Sequence, residues 1–247
     1  AWGDVDGDGD ADVYFGRSAG LGGAIYFNEG GGKFVVEDFE PFDEHAKCED
    51  MGALFFDADG DGDLDLFVAS GSNEWPAGDK LYRDRLYLND GSGKFATAPA
   101  GTLPDLTESS SAVSAADFDR DGDLDLFVGT RVIPGRYPVS PKSRLLRNEG
   151  GRFVDVTGEV APELLEAGLV TGALWSDANG DGWIDLLLVR EWGAPALFLN
   201  LEGKLSDRTE EAGCAALTGW WNGIAAGDVD GDGDLDYAVS NFGLNSK

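Results

Sequence analysis

One nine-residue pattern, Asp-x-Asp-x-Asp-Gly-x-x-Asp, occurs five times in this 247-residue chain, starting at Asp4, Asp57, Asp117, Asp177 and Asp228. The starts lie 53, 60, 60 and 51 residues apart, a period that belongs to repeat architectures rather than to one irregular domain. The copies supply Asp4, Asp6, Asp8, Asp10 and Asp12; Asp57, Asp59, Asp61, Asp63 and Asp65; and Asp117, Asp119, Asp121, Asp123 and Asp125. The fourth supplies Asp177, Asn179, Asp181, Trp183 and Asp185, and the fifth Asp228, Asp230, Asp232, Asp234 and Asp236. These windows hold 23 of the 47 acidic residues, so about half the acidity is confined to five short loops.

The flanks repeat as well. An apolar stretch precedes each loop, as in 51–56 or 171–175, and another follows, as in 66–69 or 126–128. A third, such as 85–88 or 196–199, runs through an Asn/Gly turn into a fourth short segment. Each unit therefore reads as four short antiparallel strands with the acidic loop between the first two, which is the pattern of a propeller blade. No segment between loops keeps a 3.6-residue apolar period for long; the best helical candidate, 161–167, is a turn or two. The expected fold is an all-β propeller of four-stranded antiparallel blades, one domain over 1–247, with blades near 1–40, 50–100, 111–157, 170–210 and 222–247. The first blade lacks most of its first strand and the fifth stops after its second, so about four and a half blades are present. A blade needs a neighbour on each face, so further segments or chains are expected to complete the ring. The opening residues already belong to a repeat, as if cut from a longer chain.

Carboxylates at every second position repel one another unless a hard cation gathers them. Ca²⁺ takes six to eight oxygen ligands from carboxylates, carbonyls and water. Positions 1, 3, 5 and 9 offer side-chain oxygens, and position 7 its backbone carbonyl, which tolerates Trp183; Asn179 offers an amide oxygen. Gly at position 6 allows the tight turn. An EF-hand is excluded, because position 12 is Phe15, Val68, Val128, Leu188 or Val239 rather than Glu, and lies in an expected strand. Mg²⁺ demands stricter octahedral geometry and zinc wants nitrogen or sulfur. About five Ca²⁺ ions are expected; full occupancy would reduce the formal charge from −29 to −19. Weak affinity, on the order of 10⁻⁴–10⁻³ M, is expected of such modules.

These loops between strands resemble the FG-GAP or VCBS repeat of integrin-type β-propellers, and the match reaches all five loops and their flanks. Segments 85–95 and 219–228 are similar to bacterial proteins related to cartilage acidic protein. The resemblance implies a ring of seven or eight blades, export from the cytoplasm to the periplasm, the cell surface or the medium, and a role in adhesion or recognition. It implies no agreed enzymatic activity. Asn179 and Trp183 depart from the repeat, as does the incomplete blade count.

If calcium sits in the first hairpin of each blade, the second-to-third-strand connections leave from the opposite face. Two are long. Residues 70–84 hold Trp75, Lys80, Tyr82 and Arg83, and 131–147 hold Arg131, Arg136, Tyr137, Lys142, Arg144 and Arg147 without an acid. Arg131, Arg136, Tyr137 and Arg144 are the candidate ligand residues, since a basic, aromatic rim suits a carboxylated or sulfated glycan; pairing with nearby acids is the plainer expectation. Trp192, Trp220 and Trp221 read as inter-blade packing. His45 and Cys48, three apart in a polar loop, read as surface residues rather than a nucleophilic pair, and whether Cys48 and Cys214 join is open.

The functional expectation is a calcium-stabilised extracellular or periplasmic binding or adhesion module for protein or glycan. Alternatives are a polysaccharide lyase or hydrolase, in which Tyr82 or Tyr137 would abstract a proton, and a structural subunit of a cell-surface assembly. No catalytic constellation stands outside the loops. A charge of −29 repels nucleic acid and anionic lipid, and no apolar run nears the ~20 residues that span a bilayer. Disorder, the usual fate of very acidic chains, is argued against by seven Trp, fourteen Phe and six Tyr.

Overall fold

A computed structural model of the chain describes residues 1–37 and 39–243. Strands β1 (Trp2–Gly3), β2 (Asp12–Phe15), β3 (Ala24–Asn28) and β4 (Phe34–Glu37) form the first antiparallel sheet, in chain order. Strands β5 (Asp50–Phe56), β6 (Asp65–Ser70), β7 (Arg85–Asn89) and β8 (Phe95–Thr97) form the second. The third holds β9 (Ser109–Ala116), β10 (Asp125–Val132), β11 (Arg144–Asn148) and β12 (Phe153–Asp155). The fourth holds β13 (Leu169–Ser176), β14 (Asp185–Gly193), β15 (Ala196–Asn200) and β16 (Leu205–Asp207). A fifth, partial unit of β17 (Gly219–Gly227) and β18 (Asp236–Asn241) hangs on the fourth through Glu191↔Trp220 and Gly193↔Gly219. The architecture is that of propeller blades. Among the described residues the sheets form no closed ring, and residues 244–247 of the expected fifth blade lie outside them.

Each acidic loop joins the first and second strands of its sheet, and the register starts from the ninth position: Asp65 pairs with Phe56, Asp125 with Ala116, Asp185 with Ser176. The apolar residues after it alternate. Along β6, Leu66 and Val68 enter a cluster with Tyr14, Ile25 and Phe42 of the first unit, whereas Phe67 and Ala69 enter one with Leu126 and Val128 of the third. Along β10, Phe127 faces a further cluster with Val170 and Leu186. The core thus lies between blades, and second strands, buried on both faces, need the continuous apolar runs found there.

Helical content is small. Residues 161–167 yield a 3₁₀ helix at Pro162–Glu166, following α2 (Thr157–Val160) once a short α1 (Glu40–Glu44) has been passed in the chain. Helix α1 corrects the expectation of a plain polar loop before His45. Pro41 stands at its start, and Phe42, 2% exposed, packs edge-on against Tyr14 and Tyr87. One buried aromatic anchors the turn, a signal too small for periodicity to carry.

Candidate metal centres and ligand face

In four of the five loops position 1 accepts from the backbone N–H groups of positions 4 and 6: Gly60 donates to Asp57 Oδ1 at 2.8 Å and Gly62 to Oδ2 at 3.0 Å. In the third, Asp117 accepts from positions 5 and 6, Asp121 and Gly122, both at 3.1 Å. Position 5 accepts from position 7, as in Asp63 N to Asp61 Oδ1 at 3.0 Å. Gly at position 6 has φ between +87° and +100° throughout, the left-handed turn that glycine allows. Position 4 is left-handed too, which the spacing did not reveal; in the third loop Arg120 takes it at φ +64°.

The turn swings carboxylates together. Ligand atoms of Asp4, Asp6 and Asp8 lie within 4.8 Å of one another, as do those of Asp57, Asp59 and Asp61, of Asp117, Asp119 and Asp125, and of Asp228, Asp230 and Asp236. In the fourth loop Asn179 donates to Asp181 at 2.9 Å, and the Asp181 carboxyl is held low by the Trp183 N–H and that amide. Position 7 side chains turn elsewhere: Asp123 Oδ2 accepts from Gly150 N at 3.0 Å. Burial, with neighbouring carboxylates adding, pushes Asp6, Asp59 and Asp119 above the usual carboxylate range. Asp119 Oδ1 is buried with no hydrogen-bond partner. An all-oxygen donor set with an orphaned, buried carboxylate oxygen fits a hard divalent cation.

Position 9 has a second task. Asp12, Asp65, Asp125 and Asp185 are at most 1% exposed. One oxygen accepts from position 2 of its own loop, as in Phe118 N to Asp125 Oδ2 at 3.1 Å; the other accepts from an Asn closing the third strand, as in Asn148 N to Asp125 Oδ1 at 2.8 Å. Burial pushes Asp65 up to about 6 and Asp125 up to about 7. The Asn side chain then crosses to the preceding blade. Asn89 Nδ2 donates to Val5 O at 2.7 Å, Asn148 Nδ2 to Ala58 O at 2.9 Å, and Asn200 Nδ2 to Phe118 O at 2.8 Å. The same amides bond Leu64, Leu124 and Ile184 in their own loops. Each Asn fastens two successive acidic loops. Sequence reasoning took these residues only as turn formers; their recurrence at the end of the third strand in the first four units was the signal. Among the described residues no third strand with its closing Asn follows the last loop, and Asp236 is exposed there.

Trp183, one departure from the repeat, meets Arg120, which stands where the other loops carry glycine. Arg120 lies with its guanidinium 3.8 Å from the centre of the Trp183 ring and donates to Gly182 O, so the third and fourth loops are tied by a cation–π contact.

On the opposite face the candidate ligand residues are distributed differently from one another. Arg131 and Tyr137 both reach Glu191, a 2% exposed carboxylate of the next blade, the tyrosine at 2.9 Å. Arg144 lies against Glu108 and, at 3.0 Å, Asp155. Arg136 is exposed and makes no ion pair among the described residues. The segment has no acid of its own, yet acids 11 to 60 residues away close on it. Trp192, expected in packing, is 59% exposed at φ +56°, while its ring also stacks on Trp220 at 5.0 Å. A bulge at Glu191–Gly193 turns it outward. Tyr82 is 1% exposed and bonded to the Trp75 carbonyl at 2.7 Å, out of reach of any substrate.

A larger groove of about 700 Å³ runs beside His45, Arg83, Arg85 and Phe153, but Arg83 is paired with Asp105, and Arg85 with the buried Asp50 at 2.6 Å. His45 Nδ1 lies 2.8 Å from the Pro41 carbonyl, which only accepts, so that nitrogen carries its proton. Cys48 is 6% exposed and burial pushes its thiol up, the wrong direction for a nucleophile. Both cysteines are free.

Blades of four antiparallel strands with an acidic loop in the first hairpin define a β-propeller-type repeat protein. The FG-GAP-like repeat matches residues 4–68, 57–128 and 177–239, which takes in all five loops, and the chain belongs to that family. In fold it is similar to a lectin of Agrocybe aegerita whose structure concerns specific recognition of non-reducing terminal N-acetylglucosamine, with 18% identity and a TM-score of 0.52 over 83% of this chain and 49% of the lectin. The V. cholerae biofilm matrix protein Bap1 aligns at 16% identity and a TM-score of 0.42 over 96% of this chain and 33% of Bap1. The chain therefore spans about half of the first and a third of the second. No curated protein matches it.

Proposed function

We propose that this chain is a calcium-stabilised propeller segment that acts outside the cytoplasm as a binding or adhesion module for a glycan or protein. The convergence of carboxylates in the acidic loops, with Asp119 Oδ1 buried and unpartnered, carries the metal part of this reading. Asp and Asn side chains at positions 1, 3, 5 and 9 and the carbonyl of position 7 would hold each ion, about five in all. Bound calcium supplies the positive charge that lets these carboxylates converge. The residues do the rest: positions 1 and 5 fold the loop on its own N–H groups, and position 9 joins it to the Asn of the third strand. The ion thereby stiffens the seam between blades. The binding part rests on the exposed aromatic and basic rim of the opposite face, and the lectin of similar fold supports a glycan. Blade limits follow the repeat, with one propeller domain over 1–247 completed by further segments or chains. Thermal unfolding tests the reading: millimolar Ca²⁺ is expected to raise Tm by 10 °C or more over excess chelator, and an unchanged Tm would refute it.

A further inference from the structure

We propose that the cleft between the third and fourth blades, on the face opposite the acidic loops, binds an acidic pyranoside, its ring on Trp192 and Tyr137 and its carboxylate on Arg190 and Arg136. This rests on the reading of the chain as a binding module. The cleft holds about 500 Å³ between Tyr137, Gly168, Leu169 and the Arg190–Gly193 bulge, within the range of ligand sites. Its aromatic wall is built before any ligand arrives. Trp192 holds a left-handed backbone that a bulky residue rarely adopts. Its indole N–H donates to the Tyr137 hydroxyl, and that hydroxyl donates to Glu191. Two exposed rings from different blades are thus locked together, and such faces suit the C–H side of a sugar ring.

The charges select among sugars. Glu191 has both oxygens occupied, by Arg131 and Tyr137, so its charge is met within the protein. Arg190 is different. Its Nε donates to Ala194 O at 2.9 Å and its Nη1 to Ala167 O at 2.7 Å; among the described residues it makes no ion pair, and Asp207 acts on it only from a distance. Neutral carbonyls orient this guanidinium without cancelling its charge. Two glycines make room for it: a Cβ at Gly193 would lie 2.6 Å from Nε, and one at Gly168 3.2 Å from Cδ. Arg136, exposed and without an ion pair among the described residues, precedes the cleft-lining Tyr137 in the chain, so two guanidiniums free of ion pairs stand at or beside this cleft on a chain of net −29. Planar guanidinium donors match a carboxylate.

The test is calorimetric titration in calcium buffer with trigalacturonate, too short to gel, and with its methyl ester. Trigalacturonate should bind at least tenfold more tightly than the ester. Trp192→Gly should lose that binding at least tenfold with Tm unchanged or raised, because glycine accepts φ +56°; a merely structural tryptophan would instead lower Tm. Arg136→Gln should weaken the acid several-fold and leave the ester unaffected. Equal affinity for acid and ester, or full binding by Trp192→Gly, overturns the proposal. If neither trimer binds while another glycan or a protein does, this inference fails and the module reading stands. If the calcium-loaded chain binds nothing on glycan and protein arrays, both fail.

Discussion

The asparagines that close the third strands offer a test with its own control, because the same residue occupies four equivalent places with different surroundings. Asn148 is 2% exposed. Its amide donates to Ala58 O at 2.9 Å and Leu124 O at 3.2 Å, and its Oδ1 accepts from Gly151 N at 2.8 Å. Asn148→Ala removes these three bonds but leaves the backbone bond from residue 148 to Asp125. At a net ~1 kcal/mol for each bond, with buried carbonyls left unpaired, the loss should reach about 3 kcal/mol. Asn28 likewise closes a third strand, yet among the described residues its amide meets only Ala11 O, at 3.3 Å in an exposed setting, and its Oδ1 accepts from Gly30 N at 3.1 Å. Asn28→Ala should therefore cost less than about 1 kcal/mol. Urea unfolding in calcium buffer measures both. With an m-value of about 2–3 kcal/mol/M, the midpoint should fall by roughly 1 M for Asn148→Ala and by a third of that or less for Asn28→Ala. Asn148→Asp should cost at least as much as Ala, because a carboxylate oxygen would face two carbonyls with no proton to offer. Equal midpoints for the two alanine variants, or a harmless Asn148→Asp, would refute the claim that the amide joins neighbouring blades.

Two further predictions concern charge and backbone. Asp84 accepts from Ser70 N at 2.8 Å and from Ser110 Oγ at 2.9 Å, and burial pushes it up to about 7. The folded chain thus holds this proton to higher pH than the unfolded chain, so its contribution is full below about pH 4 and is lost as pH rises toward 7; Asp84→Asn should flatten that part of the stability–pH curve by about 4 kcal/mol, at about 1.4 kcal/mol for each unit of pKa, read from urea midpoints. At Arg120, φ is +64°, so Arg120→Ala should be less stable than Arg120→Gly by about 1 kcal/mol, and both should shift Trp183 fluorescence by removing the cation stacked on it.

The propeller-type fold was legible because its repeat carries both register and period. Asp65, Asp125 and Asp185 mark where each second strand starts, and the apolar residues after them, buried on both sides, leave no alternative face to choose. The gathering of carboxylates in the loops was legible for the same reason, since each group lies within nine residues of sequence. What stayed hidden depends on residues far apart in the chain. Glu191 lies 60 residues from Arg131 and 54 from Tyr137, so the basic segment looked free of acids when Arg131 was already matched. Trp192 is turned outward by a bulge that no apolar period announces. Phe42 makes a helix of a loop through contacts with Tyr14 and Tyr87, neither of them nearby in sequence.

The fastening by asparagine runs one way along the chain. Each amide reaches back to the loop before it, never forward to the one after. The row of blades is therefore polar, like a row of hooks and eyes. Among the described residues, the Asn28 amide at one edge is a hook that reaches only its own loop, at Ala11 O; at the other the Val229 carbonyl, in the place that Val5, Ala58 and Phe118 occupy in their loops, is an eye that no third-strand Asn enters. Any blade added at either edge must present the complementary half, and a ring closes in register only when the last eye meets the first hook.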